Sequence, residues 1–195
     1  IEVKTPEGYA VDKTEPVVNR PVQLTKMAVP DFDLTQPDGT KVSKQSLAGS
    51  VAVIQFWGTW SNPSKRSHAE LMQLAEQYKD KGVKFYLAAV REKDAEGINA
   101  YVKENNVTIP VLLEADTFAE KVDVQSVTTV LVMGADGGNV KMVMNYLKDT
   151  TAKEIGEAIE TALKEAAEKK SAPEGEAKPD ASGAAPAGDQ KPADK

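Results

Sequence analysis

Two serines three residues apart, Ser61 and Ser64, open a helical stretch, and His68, the single histidine of the chain, follows four residues after Ser64. A serine becomes a nucleophile only beside a base that takes its proton. Residues four apart on a helix are neighbours, so Ser64 and His68 have the spacing of such a pair. The same spacing sets His68 in a row with Leu71, Met72, Ala75 and Tyr78, the apolar face of that helix. That reads it as a histidine packed on the core rather than as a base. Ser61 suits an N-cap, and Pro63 suits a first helical turn, where no amide donor is needed.

The segment that positions these residues is Val51 to Trp57, VAVIQFW, a continuous apolar run rich in β-branched and aromatic side chains. Such a run predicts a strand buried on both faces, as in a parallel sheet. Gly58-Thr59-Trp60 breaks the pattern, and helical spacing begins beyond Ser61. The unit is therefore strand, tight turn, long helix.

With these residues in place, the segment resembles the active-site stretch of thioredoxin-like proteins, above all the extracytoplasmic TlpA/ResA-type thiol-disulfide oxidoreductases. Their pattern is roughly FWATWCxPCxxExP. Phe56, Trp57, Thr59, Trp60, Pro63 and Lys65 match it, and the two cysteine positions are Ser61 and Ser64. The resemblance extends over about Val29 to Leu163. It implies an α/β thioredoxin-like fold, an open mixed sheet flanked by helices on both faces with an N-terminal β-hairpin. It also implies an extracytoplasmic location, periplasmic or at the cell surface.

The family's chemistry needs a thiolate, which a helix N-terminus stabilises by lowering the thiol pKa, and a second thiol to resolve the mixed disulfide. A serine hydroxyl does neither, and the chain has no cysteine. The family's cis-proline position is Val127 here, its helix glutamate aligns with Ser67, and its helix-kinking proline aligns with Ala69. A cis bond before valine costs about 2.5–4 kcal/mol, so a trans peptide is expected. Two origins of the serines compete: natural loss of redox function, and engineered Cys-to-Ser substitution in an active oxidoreductase. The departures at Val127, Ser67 and Ala69 favour natural loss, since trapping an enzyme changes only its cysteines.

The resulting expectation is a redox-inactive protein-binding module, an adaptor or structural subunit of an extracytoplasmic assembly, with no catalytic residue. The inherited groove lies between Trp60, Ser61, Asn62 and Pro63 on one side and Ser126, Val127 and Thr128 on the other, and its occupant is a protein partner. Trp57 is expected in the core and Trp60 beside the groove. No cofactor is implied. Met142-x-Met144 has the spacing of a soft-metal pair on one strand face, but with Val140 and Tyr146 it reads as core, so no metal is expected.

Net charge is −6, which argues against nucleic-acid and anionic-membrane binding. No run approaches the roughly 18 apolar residues of a transmembrane helix. The chain starts at Ile1 rather than Met, which points to removal of an export signal or to a trimmed boundary. Residues 1–26 carry Pro6, Pro16 and Pro21 without periodicity and read as an irregular arm; 27–168 form the thioredoxin-like domain. Residues 169–195 form an Ala/Pro/Lys-rich tail, in which Pro173, Pro179, Pro186 and Pro192 punctuate a stretch whose only hydrophobic residue is alanine. Too little apolar surface is available there to offset ordering, so the tail is expected to be disordered.

Within the domain, Pro37-Asp38-Gly39 signals a hairpin turn, and Ser43 to Leu47 a short helical turn. Val83 to Val90 reads as a second buried strand, Asp94 to Glu104 as a helix, Thr108 to Leu113 as a short strand and Thr117 to Lys121 as one helical turn. Thr128 to Met133 and Val140 to Tyr146 read as a hairpin. Thr151-Ala152-Lys153-Glu154 reads as a capping box opening the last helix.

Overall fold

A computed structural model describes residues 28–145, 147 and 150–171; the arm expected at 1–26 and the tail beyond Ser171 lie outside the described residues. The domain opens with a two-stranded antiparallel hairpin, β1 (Asp33–Thr35) and β2 (Lys41–Ser43), closed over the Asp38-Gly39 turn. Gly39 takes φ 86°, a conformation open to glycine. A 3₁₀ turn, Gln45–Leu47, leads into β3 (Ala52–Trp57), whose six residues are all buried.

The chain then forms α1 (Asn62–Tyr78), β4 (Lys84–Ala89), α2 (Ala95–Glu104), β5 (Val111–Leu112) and α3 (Asp116–Lys121). It closes with β6 (Val130–Met133), β7 (Asn139–Val143) and α4 (Thr150–Ser171). The main sheet has the order β5-β4-β3-β6-β7, with β3, β4 and β5 parallel and β6 and β7 antiparallel additions. This is the expected open mixed sheet, and β3 is its centre because its apolar run is sheathed on both sides.

Alternation along β3 divides the core. Val53 and Trp57 face α1, α2 and α4, meeting Leu71, Ile98, Ile155 and Ile159. Ala52, Ile54 and Phe56 face the hairpin and α3, meeting Phe32, Leu34 and Phe118. Phe118 stacks between Phe32, at 4.3 Å, and Phe56, at 5.4 Å between ring centroids. Helices therefore cover both faces, three on one side and α3 with the hairpin on the other.

Three local expectations change. Thr128 and Thr129 lie outside β6: the Thr129 amide (3.3 Å) and hydroxyl (2.8 Å) both donate to the Ser126 carbonyl, making a turn instead of a strand end. The face expected to bury Met142 and Met144 does not hold together. The register shifts between Val132 and Met133, Val143 goes to the core, and Met144 is 54% exposed. The bulge falls at Val140 and turns it to the opposite side from Met142, which packs half-buried by Phe32 and Leu131. Met144 lies beyond the last residue of β7, Val143, and Tyr146 lies outside the described residues. Finally, α4 begins at Thr150, so Thr151 lies inside it; its hydroxyl accepts from the Leu147 amide at 2.8 Å, fastening the preceding loop to the helix.

Ala28 bridges Gly138, and Lys169 pairs with Asp136 at 2.6 Å, so both ends of the described domain meet at the β6–β7 turn. Residues Trp57 to Ser64 sit at the other end of the sheet, because Ala52 pairs with Met133 while Gln55 pairs with Val130.

Candidate functional site

The serine pair lies where β3 hands over to α1. Ser61 is the N-cap in extended conformation, and its hydroxyl accepts from the Ser64 amide at 3.4 Å. The Ser64 hydroxyl lies 2.9 Å from the Ser61 carbonyl and 3.4 Å from the Gly58 carbonyl, and its single proton is best directed at the nearer. Ser64 is fully buried and Ser61 nearly so. Neither hydroxyl meets a base, so the Ser64–His68 pair does not assemble.

His68 turns the other way. Its Nδ1 is 3.1 Å from the Tyr101 hydroxyl, and its ring packs edge-on against Trp57 at 4.8 Å between centroids. Burial, with the nearby Lys65 charge, lowers its pKa to about 4, so at neutral pH it is an uncharged core residue.

Ser67, at the family's glutamate position, donates to the Ser64 carbonyl at 2.6 Å and accepts from Gln55 Nε2 at 2.5 Å. Gln55 is the one polar residue of β3 and is fully buried. A small hydroxyl here thus joins the central strand to the first turn of α1. Gln55 Oε1, Trp57 Nε1 and His68 Nε2 are buried without partners among the described residues.

Trp60 is held differently from Trp57. Trp57 is fully buried, whereas Trp60 is 51% exposed. The Trp60 indole N–H donates to the Val90 carbonyl at 3.2 Å, and the Arg91 guanidinium lies 5.6 Å from its ring centroid. The neighbouring Thr59 amide and hydroxyl both donate to the Glu92 carboxylate, the hydroxyl at 2.7 Å. Gly58 permits this fold-back: a Cβ there would collide with Trp60 Nε1.

A groove of about 410 Å³ runs between Trp60, Ser61 and Pro63 on one wall and Ser126, Val127 and Thr128 on the other. Asn62 is exposed beside it but does not line it. No cis peptide bond occurs among the described residues, so Ser126–Val127 is trans as expected. Thr128 has φ 145°, an unusual backbone for a β-branched residue, held by the turn behind it. Arg91, Asn145 and Leu147 also line the groove, and none of them was anticipated. Leu147 is 63% exposed; with Trp60 and Met144 it makes up the exposed large hydrophobics among the described residues. Its signal was a lone leucine in a polar loop. Among the described residues no group of His, Cys, Asp or Glu is arranged to hold a metal, and no helix is long and apolar enough to cross a membrane.

Comparison with known proteins follows the same stretch. The Redoxin family pattern matches residues 24–159. A thiol-disulfide oxidoreductase ResA of Bacillus cereus is 28% identical over 111 residues, covering 57% of this chain and 60% of that protein. ResA of Bacillus subtilis (strain 168) is 25% identical over 122 residues, covering 62% and 68% respectively. The match thus spans well under the full length of these relatives. The crystal structure of a thiol:disulfide interchange protein of the thioredoxin family from Chlorobium tepidum TLS superposes with a TM-score of 0.61 at 19% identity, covering 71% of this chain and 97% of that one. At that identity the likeness carries the fold alone.

Proposed function

The chain belongs to the Redoxin family, and from that premise we propose that it is a redox-inactive, protein-binding member serving as an adaptor or structural subunit of an extracytoplasmic assembly. The observation that carries the reading is the pairing of two features at one place. The positions where the family's exchange chemistry needs sulfur hold serine hydroxyls, one capping the helix and the other bonded back to the Ser61 carbonyl, and the adjoining groove is rimmed by exposed Trp60 and Leu147. Without a thiol no mixed disulfide forms. Exposed aromatic side chains beside a concavity are the usual anchors of protein interfaces. The extracytoplasmic location rests on the resemblance of the active-site segment and is part of the proposal.

Ser67 supports natural loss over engineered substitution. Its hydroxyl accepts from Gln55 Nε2 and donates to the Ser64 carbonyl, an accommodation that exchanging two cysteines alone does not produce.

The test places a photo-crosslinking amino acid in the full-length chain at Asn62 or at Ser126, with Lys79 at the far end of α1 as control, in the native host. The reading expects both groove positions to capture the same protein from an extracytoplasmic fraction and Lys79 not to capture it. Capture from Lys79 alone, or none from either groove position, would contradict it.

A further inference from the structure

Resting on the reading above, we infer that the groove selects an extended polypeptide segment bearing a carboxylate, which Arg91 receives beside the Trp60 ring. Arg91 is the single formally charged residue lining the groove. It also lines a second cleft, of about 590 Å³, that continues past Trp60 toward Lys93 and Gly97. Trp60 and Arg91 thus form the saddle between two concavities, a path suited to an extended chain rather than to a compact ligand.

The nearby carboxylates keep their charge, but none is within ion-pairing distance of the guanidinium among the described residues. They are turned to other donors: Glu92 accepts from Thr59, Asp94 accepts the Gly97 amide at 3.0 Å, and Asp116 accepts the Arg91 backbone amide at 2.9 Å. Among the described residues Arg91 forms no ion pair, and its side chain is exposed. A cation lying over an aromatic face still presents its N–H edge, and that edge accommodates a carboxylate in a fork geometry. Within the groove Arg91 is thus a single cation set beside the apolar Trp60 and Leu147, whereas the acidic Glu92 and Asp94 line the second cleft beyond it. Electrostatic complementarity of this kind governs which partner is chosen more than how tightly it is held.

The probe is a set of three blocked octapeptides, Val/Thr-rich, differing only in a central Glu, Gln or Lys. Binding to the full chain is followed by fluorescence anisotropy, with the Trp60 indole and Val127 amide NMR signals locating the site. The expected result is about fivefold tighter binding of the Glu peptide than of the Gln peptide at low salt, as for one partly exposed charge pair. Binding of the Lys peptide should be weaker still. Arg91→Gln should level the three without abolishing binding.

Equal affinities at the groove, or a preference that survives Arg91→Gln, overturn the charge selection while leaving the groove a binding site. Absence of any peptide shift at Trp60 and Val127 overturns the groove reading itself and this inference with it. Contacts from Trp60 to residues 1–27 in the peptide-free protein, or a dimer appearing with concentration, would assign the groove to the chain's own arm or to a second copy, and either overturns the inference.

Discussion

The Ser64 hydroxyl lies 2.9 Å from the carbonyl of Ser61, and the Ser61 hydroxyl accepts from the Ser64 amide, so the two residues at the family's cysteine positions close on each other. Sulfur at these positions would recover the reacting atoms without the surroundings that make them react. We expect Ser61→Cys with Ser64→Cys to give a protein that forms the disulfide yet reduces insulin far more slowly than an active ResA, because Ser67, Ala69 and Val127 remain. Insulin reduction with a dithiol donor checks this; turnover comparable to the active relative would contradict natural loss.

His68 sets an acid limit on the fold. Its pKa is about 4 in the folded protein and 6.5 by default, so the fold favours the neutral ring. The stability this represents is complete above pH 6.5 and is lost as pH falls from 6.5 through 4, reaching about 3 kcal/mol at about 1.4 kcal/mol per unit. Chemical denaturation between pH 7 and pH 4 should show this loss. His68→Phe should flatten that limb of the curve, and an unchanged slope would remove His68 as its cause.

The two tryptophans should separate stability from surface. Trp57 is fully buried against His68 and Tyr101, so Trp57→Ala should cost roughly 3–5 kcal/mol in urea unfolding. A loss under about 1 kcal/mol would mean that the cluster is not part of the cooperative core.

Gly58→Ala tests how Trp60 is held. A methyl group there would collide with the indole nitrogen, and the ring is the part free to move. The variant should keep its fold by circular dichroism while the Trp60 indole proton loses the Val90 carbonyl and exchanges faster with solvent. Unchanged exchange would show that the ring accommodates the methyl in place.

Much of this was legible because its signals are local. The unbroken apolar run of β3 gave the central strand, and the Ser61 cap with Pro63 gave the start of α1, since both depend on residues close in sequence. Neither the Thr59–Glu92 tie nor the Trp60–Arg91 saddle was legible, because each joins two loops 33 and 31 positions apart and leaves no periodic trace. The sequence reading puts Val140 on the face of Met142 because strict alternation does not announce a bulge, and Met144 in the core because nothing local marks the end of β7 at Val143. Gln55 stood out as a polar residue in an apolar strand, but its partner Ser67 lies one helical turn into α1, and only the packed structure brings the two together.

The central proposal is that the groove beside Ser61 holds a protein partner through Trp60. The measurement that tests it most directly is the dissociation constant of the partner captured at Asn62 and Ser126, determined for the native chain and for Trp60→Ala with folding verified by circular dichroism. The account predicts a loss of roughly 2 kcal/mol or more, about thirtyfold in affinity, with the fold intact. An unchanged dissociation constant in a folded Trp60→Ala protein would contradict it.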